Sequence, residues 1–134
     1  MKTIVNCCPH AIRIRINAAN VVAEPDATDI VVEPRKGGDG KVAAARVIPK
    51  PAERMEDING IPVFAPTVFG AVENLPDPVT DTIYIVSAVV GGRPEVQARP
   101  DVYVLGTGPN DGTVRFGEGP QKGQVYAVTR LIKA

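Results

Sequence analysis

Cysteine is scarce in this chain, occurring only as the adjacent pair Cys7 and Cys8. The ring closed between neighbours is too small for preferred disulfide geometry, so an intrachain disulfide framework is excluded and a reducing compartment is expected. Histidine is scarcer still. With His10 alone beside the two cysteines, thiolate and imidazole ligands number three and a fourth would have to be a carboxylate, for which nothing in the spacing asks, so neither a metal nor a cofactor is expected. An excess charge of either sign is also missing: fifteen basic residues balance fifteen acidic ones. Broad nucleic-acid binding rests on phosphate neutralisation and is not expected of such a chain. The one local basic excess, from Arg35 to Arg54, contains no aromatic residue to stack on a base and reads as a solvated loop and strand edge. No apolar run approaches the roughly 20 residues that cross a bilayer, and the segment Met1 to Asn6 lacks the apolar core of a signal peptide. A soluble protein without membrane contact is the expectation.

What the chain does have is 44% hydrophobic residues, enough for a packed core, with 13 glycines and 13 prolines that disfavour a mainly helical fold. Residues 2–17 read as a hairpin in which Ile12, Ile14 and Ile16 alternate with Arg13, Arg15 and Asn17, one face buried and one wet. Further strands are expected over Asp29–Glu33, Val42–Ile48 and, bent by Pro62, Pro66 and Gly70, Ile61–Leu75. Asn59-Gly60 is a turn signal. The dense β-branched run Thr82–Ser87 reads as a central strand covered on both faces. Val102–Leu105 is another strand, and a terminal hairpin joins Thr113–Phe116 to Gln124–Ile132. Helical turns are expected near residues 52–57 and 88–92. Short strands separated by frequent turn signals define a mainly β single domain over residues 1–134, either a small barrel or a bent antiparallel sheet with one or two short helices.

Several of these segments, taken in order, resemble a family of small bacteriophage and prophage proteins. The family opens on Asn-x-Thr-Pro-His-x-Ile, matched here by Asn6-Cys7-Cys8-Pro9-His10-Ala11-Ile12. Later matches are Gly60-Ile61-Pro62-Val63, Gly70 to Pro76, Tyr84-Ile85-Val86-Ser87, Arg99-Pro100-Asp101-Val102, Gly108-Pro109-Asn110-Asp111-Gly112 and Ala127 to Ile132. Residues 18–58 are the least covered. The resemblance implies a phage or prophage gene product acting in the cytoplasm of a bacterial host, without implying a particular activity. Cys8 stands where the family has threonine, so a thiol there is not essential.

Against catalysis, no nucleophile, base and orienting group can be assembled. Cys7, Cys8 and His10 read as a buried thiol beside a tight turn rather than as a thiol enzyme. His10, alone in titrating near neutral pH, either clamps that turn or contacts a ligand phosphate or carboxylate, with Asn6 beside it. The glycine-rich loop Gly106–Gly112 follows a strand, and its amides suit an anion-binding nest. It lacks the final glycine of a dinucleotide fingerprint and leads into a strand, which excludes that reading. Pro109-Asn110-Asp111-Gly112 is accounted for as a turn, while Gly106-Thr107-Gly108 keeps a ligand contact open. Arg99 and Arg115 flank the loop with guanidinium forks suited to phosphate, although Arg99 also has Asp101 as a neighbour to pair with. The candidate ligand-binding set is therefore Asn6, His10, Arg99, Thr107, Asn110, Asp111 and Arg115.

Binding rather than turnover is expected. The first expectation is a phage accessory protein that sequesters a small anionic ligand, a nucleotide-type signal of host defence. The alternative is a protein-interaction module, a minor virion or host-takeover component without such a ligand. An exposed strand edge makes homo-oligomerisation an expectation in either case.

Overall fold

A computed structural model describes residues 2–66 and 69–134; Met1, Thr67 and Val68, on which parts of the sequence reading fall, lie outside it. The protein is mainly β, with strand making up 39% of the chain and helix 6%. In chain order the elements are β1 (Thr3–Asn6), β2 (Ile12–Arg15), β3 (Asp29–Val32), β4 (Arg46–Pro49), β5 (Arg54–Ile58), β6 (Ile61–Phe64), β7 (Phe69–Glu73) and β8 (Thr82–Val86). The helices α1 (Ala88–Gly91) and α2 (Pro94–Gln97) follow, then β9 (Val102–Leu105), β10 (Val114–Arg115), β11 (Val125–Ala127) and β12 (Leu131–Lys133).

A four-stranded sheet in the order β1-β8-β9-β12 forms the centre. Its β1–β8 and β8–β9 pairs are parallel, and β12 returns antiparallel to β9. The two helices supply the crossover that a parallel β8–β9 pair requires. Ser87 caps α1 by accepting the Val90 amide at 3.4 Å, and Pro94 opens α2, where a missing N–H costs nothing. Gly91 lets α1 lie against β9, since a Cβ there would collide with Val104.

Period-two alternation places both faces of this sheet in contact. Tyr84, Val86 and Val102 pack with Val90, Val96, Cys7 and Ala45 on the helical side. Ile85 packs on the other side with Cys8, Ile12, Ile14 and Val128. The reading of β8 as a central, doubly covered strand therefore holds. The smaller sheets are two-stranded, antiparallel and separate: β2–β3, β4–β7, β5–β6 and β10–β11. None of the sheets closes into a barrel, so of the two expected forms the bent sheet is the one consistent with the structure.

Several local expectations are corrected. Residues 2–17 do not form a hairpin, because β1 runs parallel to β8 while β2 pairs with β3. Ile16 lies beyond the end of β2 and is 62% exposed rather than buried with Ile12 and Ile14. Residues 54–58 are strand, not a helical turn, since they pair across the Asn59-Gly60 turn with β6. The Val42–Ile48 expectation shrinks to β4, with Val42 making only an isolated bridge to Lys36. The proposed Gln124–Ile132 strand divides, β11 pairing with β10 and β12 with β9.

Candidate functional site

The structure divides the candidate residues among three places. Asn6 is 1% exposed and ends β1. Its Oδ1 accepts the Cys8 amide at 2.8 Å, and its Nδ2 donates to the carbonyls of His10 at 2.8 Å and Val32 at 2.9 Å. Both ends of the amide are spent on holding the Cys7–Ala11 turn against β3. His10 is exposed, and the turn uses its carbonyl rather than its imidazole.

Arg99 belongs to a second place. Its Nε and Nη2 donate to the two Asp101 carboxylate oxygens at 3.0 and 2.7 Å, and Nη1 donates to the Pro76 carbonyl at 2.8 Å. The guanidinium also lies 5.6 Å from the centre of the Tyr84 ring. With these three bonds the fork fastens the segment before β8 to the start of β9, and none of them reaches the Gly106–Gly112 loop.

That loop, with Arg115, is the third place. The Gly108 amide donates to Asp111 Oδ2 at 2.8 Å, so the loop's own carboxylate occupies a donor that an anion nest would offer. Gly106 donates to the Arg130 carbonyl at 3.1 Å, and its own carbonyl accepts from Thr113 Oγ1 at 2.8 Å. A Cβ on Gly106 would sit 2.6 Å from Arg130 Cγ and 3.0 Å from its carbonyl oxygen, and one on Gly108 would sit 2.8 Å from Asp111 Oδ2. Close approach of Arg130 thus accounts for Gly106, the Asp111 carboxylate occupies the space beside Gly108, and Gly112 adopts φ +68°. The Thr107 side of the loop is drawn in by Arg115, whose Nη2 donates to the Thr107 carbonyl at 2.8 Å while Nη1 donates to Gly123 at 2.9 Å. Asn110 is exposed at the turn.

Cys7 and Cys8 are both buried free thiols. Burial pushes the Cys7 thiol up to about 11, with the Arg35 and Arg99 charges opposing it only in part, and burial also raises Cys8. A thiol nucleophile requires the opposite shift. No cluster of three or more His, Cys, Asp or Glu side chains placed to hold a metal ion occurs among the described residues.

Three features escaped the sequence reading. The first is Arg15, whose side chain is fully buried although alternation puts it on the wet face of β2. All five of its donors are used: Nε and Nη2 on Asp29 at 2.9 and 3.2 Å, and the rest on the carbonyls of Asn20, Val22 and Glu24. Loop 18–28 folds over that guanidinium, which also lies 5.6 Å from the Tyr126 ring centre. The second is a groove of about 500 Å³ between residues 21–24 and 115–118, with apolar Val21, Val22 and Phe116, and with Arg115 facing Glu24 and Glu118. No sequence signal joins those distant segments.

The third is the β5–β6 hairpin. Asn59 and Gly60 take φ of 51° and 78°, the pair of positive values that a two-residue type I′ turn demands. Every residue from Ile48 to Pro62 is exposed, and among the described residues β5 and β6 make no substantial contact with any other element. The cross-strand pairs Met55–Val63 and Ile58–Ile61 share one face, because Ile61 and Val63 are two apart on an unbroken β6. Arg54 lies on the opposite face, paired with Asp57 at 3.0 Å and 5.9 Å from the Phe64 ring centre. One face of this hairpin therefore carries an apolar patch, with Met55, Ile58 and Ile61 at 54%, 62% and 62% exposure, bordered at its base by Glu53, whose carbonyl accepts the Ala65 amide at 2.8 Å. The Asn59-Gly60 signal between two isoleucines marks the turn; the strand character of β5, expected as a helical turn, and the isolation of the hairpin from the body do not show in the sequence.

Comparison of the chain with protein-family models, curated proteins and solved structures gives no match.

Proposed function

We propose that this chain is a protein-interaction module that docks through the β5–β6 hairpin, serving as an accessory component of the phage or prophage origin its sequence resemblance implies. One observation carries the reading: an isolated two-stranded hairpin presents the apolar patch of Met55, Ile58 and Ile61 to solvent. Two strands alone are marginal in water, and such a face gains stability when covered. β4 and β7, which flank the hairpin in sequence, pair with each other. Arg46 bridges β4 to β7 through Glu73 at 3.0 Å, and Arg93 lies 5.7 Å from the Phe69 ring centre. An exposed hairpin of this kind suits docking.

The test compares wild-type protein with the double variant Met55→Lys and Ile61→Lys as bait in lysate of phage-infected host cells. The reading expects a defined partner retained by wild type and lost with the variant, at an unchanged melting temperature of the body. Recovery of the same partners by both baits overturns it.

A second reading, sequestration of a small anionic or nucleotide-type ligand, draws support from the groove beside loop 106–112. Arg115 lines it and, among the described residues, keeps three of its five donors uncommitted. Glu24 and Glu118 in the same lining oppose an anion. Titration calorimetry with a nucleotide panel tests this reading: saturable binding abolished by Arg115→Ala supports it, and no heat from any member of the panel removes it.

A further inference from the structure

We infer that Asn59-Gly60, the tip of the β5–β6 hairpin, is a self-modification site: through a cyclic imide with the Gly60 nitrogen, water converts the Asn59 side-chain amide into aspartate and isoaspartate. The inference holds whatever the hairpin docks on.

The chemistry needs a main-chain nitrogen next to an asparagine, and glycine leaves that nitrogen unshielded because it has no Cβ. Once hydroxide has drawn off its proton, the Gly60 nitrogen bonds to Asn59 Cγ. The Cγ–Nδ2 bond breaks, and Nδ2 leaves as ammonia with a proton taken from water. A second water then opens the imide at either carbonyl. Cleavage of the new N–Cγ bond gives aspartate. Cleavage of the original peptide N–C bond gives isoaspartate, whose main chain runs through Cβ and Cγ and is one carbon longer.

Three Asx-Gly dipeptides occur in the chain, and the structure favours this one. At Asp39-Gly40 the glycine amide donates to the Gly37 carbonyl at 3.0 Å, and Asp39 Oδ1 accepts the Lys41 amide at 3.0 Å. At Asp111-Gly112 the carboxylate is held by the Gly108 amide at 2.8 Å, and Thr129 Oγ1 donates to the Asp111 carbonyl at 3.2 Å. Asn59 and Gly60 are both exposed, and the Gly60 N–H donates to no backbone acceptor among the described residues. Attack requires the turn to leave its resting φ of 51° and 78° so that the nitrogen reaches Cγ. A two-stranded hairpin without support from the body opens readily, which gives Asn59 the freedom that the two tied aspartates lack.

The experiment incubates the full-length wild-type protein at pH 8, in buffer and in urea, and maps its peptides by mass spectrometry over days. In the folded protein Asn59 is expected to convert within about tenfold of its rate in urea, since little local opening separates the two. Its peptide should split into aspartate and isoaspartate forms, while Asn6, Asn17, Asn20, Asn74 and Asn110 stay intact. A native rate more than about tenfold below the urea rate overturns the inference, as does isoaspartate forming as fast at Asp39 or Asp111. Isoaspartate also lengthens the two-residue loop that sets strand register. Nuclear Overhauser contacts between the paired Met55 and Val63 should therefore vanish in that form, at an unchanged melting temperature of the body. Asn59→Asp adds the same charge without the extra carbon and should keep those contacts. Their survival in the isoaspartate form, or their loss in Asn59→Asp, overturns the effect assigned to chain length.

Discussion

The Arg15 guanidinium meets the Asp29 carboxylate at 2.9 Å with both side chains shut away from solvent, at 0% and 3% exposure. The pair organises the structure beyond its own contact. Asp29 opens β3 and also accepts from Arg13 at 2.9 Å and from the Asp26 amide at 3.1 Å, while Arg15 gathers the carbonyls of loop 18–28. Truncating Arg15 to alanine removes those bonds and leaves a buried carboxylate with only part of its partner set. A loss of about 3–5 kcal/mol is expected, the scale for breaking a buried pair from one side. Urea unfolding of Arg15→Ala against wild type measures it, and a loss below about 1 kcal/mol would show that solvent replaces the arginine.

The same pair sets the response to acid. Hydrogen bonding to Arg15, and less strongly to Arg13, holds the Asp29 carboxyl well below the usual carboxylate range against the opposing effect of burial. Asp26 is lowered as well, by bonds from Thr28 and Asn20. Both pKa values are lower folded than unfolded, so their stabilisation is complete above the unfolded value of about 3.9 and is lost as pH falls below it. Unfolding free energy measured from pH 6 down to pH 2 should decline steeply below about pH 4 in wild type. Asp29→Asn, though less stable at neutral pH, should show a shallower acid limb. Parallel limbs would assign the acid response to other carboxylates.

Sequence patterning reached the centre of the fold and stopped at its periphery for a physical reason. The β-branched run of β8 and the helix stop at Gly91-Gly92 are local signals, and both appear where expected. Strand partnership is not local. Nothing in Thr3–Asn6 says that it will lie parallel to β8 from the middle of the chain rather than fold back on β2. The binary pattern of β2 likewise assigns Arg15 to water, because loop 18–28, which covers it, has no periodicity of its own. Among the candidate site residues, Asn6 and Arg99 stand out for hydrogen-bonding capacity, and the fold directs those bonds inward. Residue type reveals which groups can bond; only the tertiary structure reveals which are already bonded.

Asn6 and His10 separate the structural use of the turn from a ligand-binding one. Asn6→Ala strips partners from the buried Cys8 amide and from the Val32 and His10 carbonyls, so a destabilisation of about 2–4 kcal/mol is expected. His10→Ala leaves the carbonyl that Asn6 uses in place, and its effect should fall within about 0.5 kcal/mol, as for an ordinary surface substitution. Thermal and urea unfolding of the two variants check the contrast. A large loss in His10→Ala would mean that the imidazole clamps the turn.

Cys7 predicts the alkaline side. Its thiol is sealed at 0% exposure, and burial pushes its pKa up to about 11 from an ordinary value of 9.0. The neutral thiol is thus favoured by the fold, while the unfolded chain releases that proton earlier. Between those two values the unfolded state binds fewer protons than the native one, so stability falls as pH rises through this window and is unaffected below it. Cys7→Ala should therefore flatten the decline in unfolding free energy above about pH 9, whatever it costs at neutral pH by leaving a small void. Thiol labelling gives an independent reading. A disulfide reagent at pH 8 should modify neither Cys7 nor Cys8 in the native protein and both in urea, because each thiolate is suppressed and each sulfur is covered. Rapid labelling of Cys7 in the native protein would mean that the turn Asn6 secures opens readily, and the alkaline limb would then be set by that opening instead.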